Sequence, residues 1–121
     1  MKSIVQYFLP STLLDYFEIA DVLELESVET NKKYLQIDLV EKNIIPSGYE
    51  SSEYESKGFY NVKLIQDFPV RGKAVYLAIK RRRWRHKTEH TEIHNDYTFI
   101  ADGSKFTKEL SDFLKYTGRK P

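Results

Sequence analysis

The stretch that decides the fold is Lys73-Ala74-Val75-Tyr76-Leu77-Ala78-Ile79-Lys80-Arg81-Arg82-Arg83-Trp84-Arg85-His86-Lys87. Its first half is typical of a β-strand. In an extended chain, Val75, Leu77 and Ile79 share one face with the arginines at odd-numbered positions that follow them. We therefore predict one strand from Lys73 to Trp84. Its inner end lies in the core, and its outer end projects guanidinium groups from both faces.

The second half of this stretch is strongly cationic, since six of the eight residues 80–87 are Lys or Arg. Such a strand end suits the phosphate backbone of a nucleic acid better than a protein core, and guanidinium groups bind phosphate in a bidentate way. Trp84 is expected to support these contacts by stacking or by packing against sugar. The opposing interpretation is a solvated strand end that pairs with acidic residues of the first hairpin. The candidate DNA-binding residues are Arg71, Lys73, Lys80, Arg81, Arg82, Arg83, Trp84, Arg85 and Lys87.

The composition of the chain indicates one intracellular domain. Its 121 residues fit a single domain, and the absence of cysteine excludes disulfides, thiolate zinc sites and thiol catalysis. No apolar run approaches the length of a membrane span, and the first residues do not resemble a signal peptide. The net charge of +1 divides into −6 over residues 1–70 and +7 over residues 71–121. This division suggests a polar molecule with one face for an anion.

The remaining patterns predict an α+β fold in which a small antiparallel sheet of two β-hairpins follows short N-terminal helices and precedes a C-terminal helix. The whole chain, 1–121, is then one domain with a helical lead over 1–18, a mostly β part over 19–100 and a C-terminal helix over 104–117 capped by Ser104. The predicted segments are helices over 3–9 and from residue 10, a first hairpin of strands 19–29 and 34–41, an exposed loop over 46–57, a second hairpin of strands 59–65 and 73–84, and a weak extended segment over 92–100.

Catalytic and metal-binding patterns are weak. His86, His90 and His94 are spaced by four residues, which on a strand separates neighbours by about 13 Å, too far to share a metal ion. No carboxylate pair has a recognisable catalytic spacing, and the chain has neither a phosphate-cradling glycine loop nor a nucleophile elbow. We therefore predict no enzymatic activity, no metal and no cofactor.

Two segments resemble a known family. The stretch from Asp67 to Arg85 resembles the N-terminal region of bacterial insertion-sequence transposases, in which an Asp-x-Pro-x-x-Gly turn leads into a strand with an Arg-Arg-aromatic-Arg end. The segment Phe106-Thr107-Lys108-Glu109-Leu110-Ser111-Asp112-Phe113-Leu114-Lys115 resembles the helix that opens the following helix-turn-helix. The resemblance is clearest over residues 67–117. It implies a zinc-ribbon-like fold and recognition of double-stranded DNA at transposon ends, without strand cleavage. It also implies a location in the bacterial cytoplasm, associated with the nucleoid.

One departure from the family concerns zinc. The related ribbons hold the metal with cysteine pairs, expected near Ile45–Gly48 and near Arg85–Thr88, and this chain has no cysteine. The resemblance therefore implies a degenerate, zinc-free ribbon held together by hydrophobic packing.

A second function remains open from the sequence. The chain can instead be a protein-interaction or assembly module that docks on a separate catalytic transposase chain without binding DNA itself. In that case an acidic surface that includes Glu24, Glu26 and Asp38 would contact the partner.

Overall fold

The computed structural model describes Leu9, residues 13–97 and residues 107–116. Within this part, the chain forms seven strands in two sheets, a one-turn helix and a nine-residue helix. In chain order the elements are α1 (Leu13–Tyr16), β1 (Phe17–Glu26), β2 (Lys33–Glu41), a 3₁₀ turn (Ser51–Glu53), β3 (Tyr54–Phe59), β4 (Lys63–Val70), β5 (Lys73–Lys80), β6 (Arg82–His86), β7 (Glu92–Ile93) and α2 (Lys108–Tyr116).

The larger sheet has four strands in the order β1-β2-β5-β4. Two antiparallel hairpins, β1/β2 and β4/β5, meet through a parallel pairing of β2 with β5, in which Ile37 lies opposite Leu77. The second hairpin closes with Arg71 and Gly72 at φ values of 51° and 76°. Positive φ at both central residues defines the type I′ turn, whose twist matches that of the flanking strands.

One face of this sheet carries the core. The core side chains come from Leu9, from α1 and from all four strands. The strands contribute together because residues opposite each other across paired strands project to the same face. The fully or nearly buried members are Leu9, Leu13, Phe17, Ile37, Leu39, Ile65, Val75, Leu77 and Ile79. Val75, Leu77 and Ile79 therefore lie inward, as the alternation predicts.

The smaller sheet has three strands in the order β3-β6-β7, both pairings being antiparallel. β5 and β6 are separated only by Arg81, so the chain passes directly from the larger sheet to the smaller one at this residue. The cationic stretch consequently belongs to the smaller sheet, whereas the apolar stretch before it belongs to the larger one.

The predicted fold class is wrong, because the chain is mostly β and its strands form two sheets rather than one antiparallel sheet of two hairpins. The predicted strand 73–84 breaks at Arg81, and β2 pairs with β5 in parallel. The helical lead is also wrong near its end, since Phe17 already begins β1. Of the predicted helix over 3–9, only Leu9 lies within the described residues, and residue 10, where the second helix was predicted to start, lies outside them.

Two further segments differ from their predictions. Residues 54–57 were predicted to be loop and instead form most of β3, and the described part of the segment 92–100 contains only the two-residue strand β7. A bulge at Ala20 shifts the register of β1, so that Leu23 lies opposite Gln36 and Leu25 opposite Tyr34. These two leucines therefore lie on the face opposite the core, although simple alternation predicts them to be inward.

Helix α2 is attached to the edge strand β4 by its cap. The Thr107 hydroxyl accepts from the Leu110 N–H at 3.3 Å and donates to Asp67 Oδ1 at 2.9 Å, and the Thr107 N–H donates to the Gln66 carbonyl at 2.9 Å. Thr107 is thus the N-cap, whereas the predicted cap, Ser104, lies outside the described residues. The buried Asp67 carboxylate fixes this cap in position.

Replacing Asp67 by asparagine is expected to change how stability depends on pH. Burial raises the pKa of the Asp67 carboxyl above its usual value of 3.8, although hydrogen bonds from the Phe68 backbone and Thr107 oppose the rise. A raised pKa in the folded state means that protonation favours folding. The stabilisation is complete below the unfolded pKa and is lost as pH rises through the folded pKa.

Asparagine keeps an acceptor for Thr107 without the charge. In urea titrations between about pH 4 and about pH 7, the wild type should lose free energy of unfolding relative to Asp67→Asn. A difference between the two proteins that does not change with pH would contradict this assignment.

Candidate nucleic-acid interface

Strand β6 presents its residues alternately to two faces of the smaller sheet. Trp84 is 0% exposed and lies opposite Ser56 and Ile93, so the even-numbered positions face inward. Arg83 and Arg85 face outward, and Arg81 continues this outward row from the link before the strand. The cationic run therefore divides into an inner set with structural contacts and an outer set at the surface.

The inner set begins with Arg82, which joins the two sheets at Glu41. The Glu41 carboxylate is buried and accepts from the Arg82 backbone N–H at 2.9 Å, from Asn95 Nδ2 at 3.2 Å and from the Tyr97 hydroxyl. The Arg82 side chain donates through Nε to the Glu41 carbonyl at 3.2 Å and through Nη1 to Ser56 Oγ at 2.7 Å. These bonds commit Arg82 to the protein interior rather than to a ligand.

The Glu41 carboxylate also affects the pKa of Tyr97. Burial raises the pKa of its hydroxyl far above the ordinary value, and the hydrogen bond and negative charge of Glu41 raise it further. Tyr97 therefore remains a neutral donor to the Glu41 carboxylate at any ordinary pH.

Trp84 and His86 complete the inner set. The Trp84 indole N–H donates to Asn43 Oδ1 at 2.8 Å, and the ring has no exposed surface, so the predicted stacking on nucleic acid is wrong. His86 Nδ1 accepts from the backbone N–H groups of Thr88 and Glu89 at 3.3 and 3.0 Å. The ring proton is therefore on Nε2, which donates to a Glu53 carboxylate oxygen at 3.1 Å.

The outer set is Arg81, Arg83 and Arg85, which we call the outer arginine row. Successive members are two residues apart, or about 6.6 Å along an extended chain. The Nε atoms of all three are buried and have no hydrogen-bond partner in the described part of the chain. The side chains thus lie against the sheet, with Nε shielded from solvent and the charged ends of the guanidinium groups toward the surface.

Carboxylates flank the row but hold it weakly. Arg81 lies 3.6 Å from Asp96, Arg83 lies 3.9 Å from Glu92, and Arg85 lies 4.0 Å from Glu55. The three acidic side chains are 90%, 47% and 45% exposed. Exposed ion pairs at such distances contribute little free energy, so a stronger anion can displace them. Firmer contacts are made to backbone carbonyls, from Arg81 to Asn95 and from Arg83 to Lys57.

Tyr60 is a member of this surface that the sequence analysis missed. The residue is 37% exposed, and its ring centroid lies 5.8 Å from the guanidinium carbons of both Arg81 and Arg83. A bulge between Ser56 and Phe59 contains Gly58 at a φ of 88°. The bulge pairs Phe59 with Arg82 on the inner face and leaves Tyr60 beside the outer row. A glycine inside a strand pattern was the available signal.

The other predicted contact residues are dispersed. Lys80 is exposed, with Nζ 5.2 Å from the Phe59 ring, and Lys87 is exposed in the turn after β6. Arg71 and Lys73 lie at the opposite end of β5, about 23 Å away by strand length. Lys73 also donates to Glu24 at 2.7 Å, which lowers the pKa of that carboxyl. Neither Arg71 nor Lys73 belongs with the outer arginine row.

The acidic residues of the alternative function do not form one surface. Glu24 lies opposite Leu35 on the core side of the larger sheet, whereas Asp38 lies opposite Asp21 on the other side. Glu24 is also engaged by Lys33 and Lys73. Among the residues that the structure describes, no group of three histidine or acidic side chains is arranged to hold a metal ion, and no helix is long and apolar enough to span a membrane.

Comparison with known proteins gives no further guide, since no family model, no curated protein and no solved structure matches this chain. The functional argument therefore depends on the chemistry of the outer arginine row and its surroundings.

Proposed function

We propose that this chain binds double-stranded DNA through the outer arginine row. The observation that carries the proposal is that three guanidinium groups lie in line on one sheet face and that the carboxylates paired with them are exposed and lie 3.6 to 4.0 Å away. A phosphate can accept from the two terminal nitrogens of one guanidinium. The row thus offers donors of the geometry that a phosphate backbone requires.

The electrostatic balance also favours this proposal over a purely structural role. The carboxylates beside the row are exposed and lie 3.6 to 4.0 Å from the guanidinium nitrogens. Losing such pairs costs little, whereas each phosphate contact releases condensed counterions from DNA. Lys57, Lys80 and Lys87 carry additional positive charge within or next to the smaller sheet. Exchange of exposed carboxylates for phosphates is therefore expected to be favourable at low salt.

The resemblance of residues 67–117 to transposase N-terminal regions suggests which duplex to examine first. We propose that the chain serves as a non-catalytic DNA-recognition part of an insertion-sequence transposase, and that terminal-repeat DNA is its ligand. Contacts to phosphate alone fix position without reading sequence, so the row supplies affinity rather than sequence preference. A duplex of random sequence therefore belongs beside the terminal repeat in every titration.

Replacing Arg83 by glutamine is expected to weaken duplex binding roughly fivefold to tenfold, the loss of about one phosphate contact. The matched control is Arg71→Gln, which removes the same charge from the far end of β5 and should leave affinity unchanged. Fluorescence anisotropy with a labelled duplex measures both. Equal losses in the two variants would mean that only overall charge matters, and no loss in Arg83→Gln would remove the row from the interface.

A further inference from the structure

Tyr60 is an exposed aromatic side chain surrounded by basic groups. The guanidinium carbons of Arg81 and Arg83 lie 5.8 Å from the ring centroid, and the His94 ring lies 6.0 Å away in an edge-on arrangement. A separation of 5.8 Å is near the outer limit of a cation–π contact, so neither guanidinium is stacked directly on the ring. Tyr60 is 37% exposed, so part of the residue is accessible from solvent.

The position of this ring is fixed by the backbone. The Tyr60 N–H donates to the Arg81 carbonyl at 2.8 Å, directly after the bulge that contains Gly58. No atom lies within 4 Å of a Cβ placed on Gly58, but its φ of 88° is one that other residues rarely adopt. The glycine therefore serves the backbone geometry and not the packing. That geometry holds an exposed aromatic ring between two members of the outer arginine row.

We propose that Tyr60, Arg81 and Arg83 form a site for an unpaired nucleotide, with the base stacked on Tyr60 and the adjoining phosphates bound by the two arginines. This inference rests on the proposed DNA binding and names the part of the DNA that the site takes. Bases inside a duplex already stack on their neighbours, so an aromatic side chain gains stacking only from an unpaired base. The ligand is then a duplex end with a single-stranded overhang, or a gap.

The test compares a blunt duplex with the same duplex carrying a short single-stranded overhang. Stacking on one aromatic side chain changes affinity roughly fivefold to a hundredfold. The wild type should prefer the overhang by about tenfold. Tyr60→Ala should bind the overhang duplex no better than the blunt duplex. Tyr60→Phe should retain the preference, because the ring is kept. Circular dichroism confirms that the variants are folded.

A 2-aminopurine in the overhang reports the same contact in the wild-type protein without any substitution. Its fluorescence should fall on binding, because stacking on Tyr60 quenches it. An unchanged fluorescence, or a preference for the overhang that survives in Tyr60→Ala, would overturn the inference. If the wild type binds the blunt duplex and shows no preference for the overhang, the site at Tyr60 is refuted and the proposed duplex binding stands. Binding of single strands without binding of duplex defeats the proposed duplex function and supports the site at Tyr60.

Discussion

Replacing Trp84 by alanine is expected to lower the free energy of unfolding by about 3–5 kcal/mol. The indole is the largest fully buried side chain of the described residues, and its N–H donates to Asn43 at 2.8 Å. Alanine leaves a cavity on the inner face of the smaller sheet and also leaves the Asn43 oxygen without this donor. Urea unfolding monitored by circular dichroism measures the change. The exposed aromatic Tyr49 gives a matched control, since Tyr49→Ala should change stability by less than about 1 kcal/mol.

The same residue provides a direct optical test of its position. Trp84 is the single tryptophan of the chain, so its fluorescence is not mixed with that of any other indole. A ring with 0% exposure should emit at short wavelength and resist quenching by iodide. Duplex DNA should not quench it by stacking. Strong quenching by either agent would place the indole at the surface and support the stacking role that the sequence alone suggested.

Replacing Glu41 by alanine is expected to have an effect of similar size, about 3–5 kcal/mol. The carboxylate is 1% exposed and accepts from the Arg82 backbone N–H, from Asn95 and from the Tyr97 hydroxyl. Removing it deprives these partly buried donors of their acceptor, and each donor left unsatisfied away from water costs about 1–3 kcal/mol. Thermal and urea unfolding measure the loss.

The conservative variant Glu41→Gln separates packing from hydrogen bonding. Glutamine keeps one acceptor for the Arg82 N–H but places an NH₂ group where Asn95 and Tyr97 donate. The free energy of unfolding of Glu41→Gln should therefore lie above that of Glu41→Ala and clearly below that of the wild type. Because the contact of Glu41 with Arg82 holds β6 against the larger sheet, Glu41→Ala and Glu41→Gln should also weaken DNA binding near their unfolding midpoints. Full stability in Glu41→Ala would show that the two sheets do not depend on this carboxylate.

The local pattern of the sequence predicted part of this structure well. The inward positions Val75, Leu77 and Ile79 are buried, since strict alternation in an unbroken strand leaves no other arrangement. The first hairpin also lies near its predicted position, with a positive φ at Asn31 in its connection. In the second hairpin the first strand was predicted over 59–65, whereas β4 spans Lys63–Val70. Turn chemistry and a period of two residues are local properties, so a single sequence carries them.

The errors arise where a contact between distant segments decides the outcome. Nothing local to Arg81 shows that the chain leaves one sheet and enters another, because the change depends on Glu41, which lies 41 residues away from Arg82 in sequence. The parallel pairing of β2 with β5 is equally non-local. The bulges at Ala20 and Gly58 reverse the faces of Leu23 and Tyr60 by adding one residue each. Simple alternation of inward and outward positions therefore assigns both residues to the wrong face.

The candidate site was predicted as a run of residues and is found as an alternating row. Three of the four arginines of the run lie outward, whereas Arg82 is committed to the protein and Trp84 is buried, so residue type alone overstated the interface. Arg82 shows the reason, because a guanidinium suited to phosphate is equally suited to a backbone carbonyl and a serine hydroxyl. Only the partner across the sheet distinguishes the two uses.

The measurement that tests the central claim most directly is the salt dependence of duplex affinity for the wild type, Arg83→Gln/Arg85→Gln and Arg71→Gln. Each phosphate contact contributes about 0.9 to the slope of log affinity against log salt. The double variant should therefore show a slope shallower by about 2, and Arg71→Gln should match the wild type. A slope unchanged in the double variant, or no binding of any duplex by the wild type at low salt, would contradict the assignment of the outer arginine row as a DNA-binding surface.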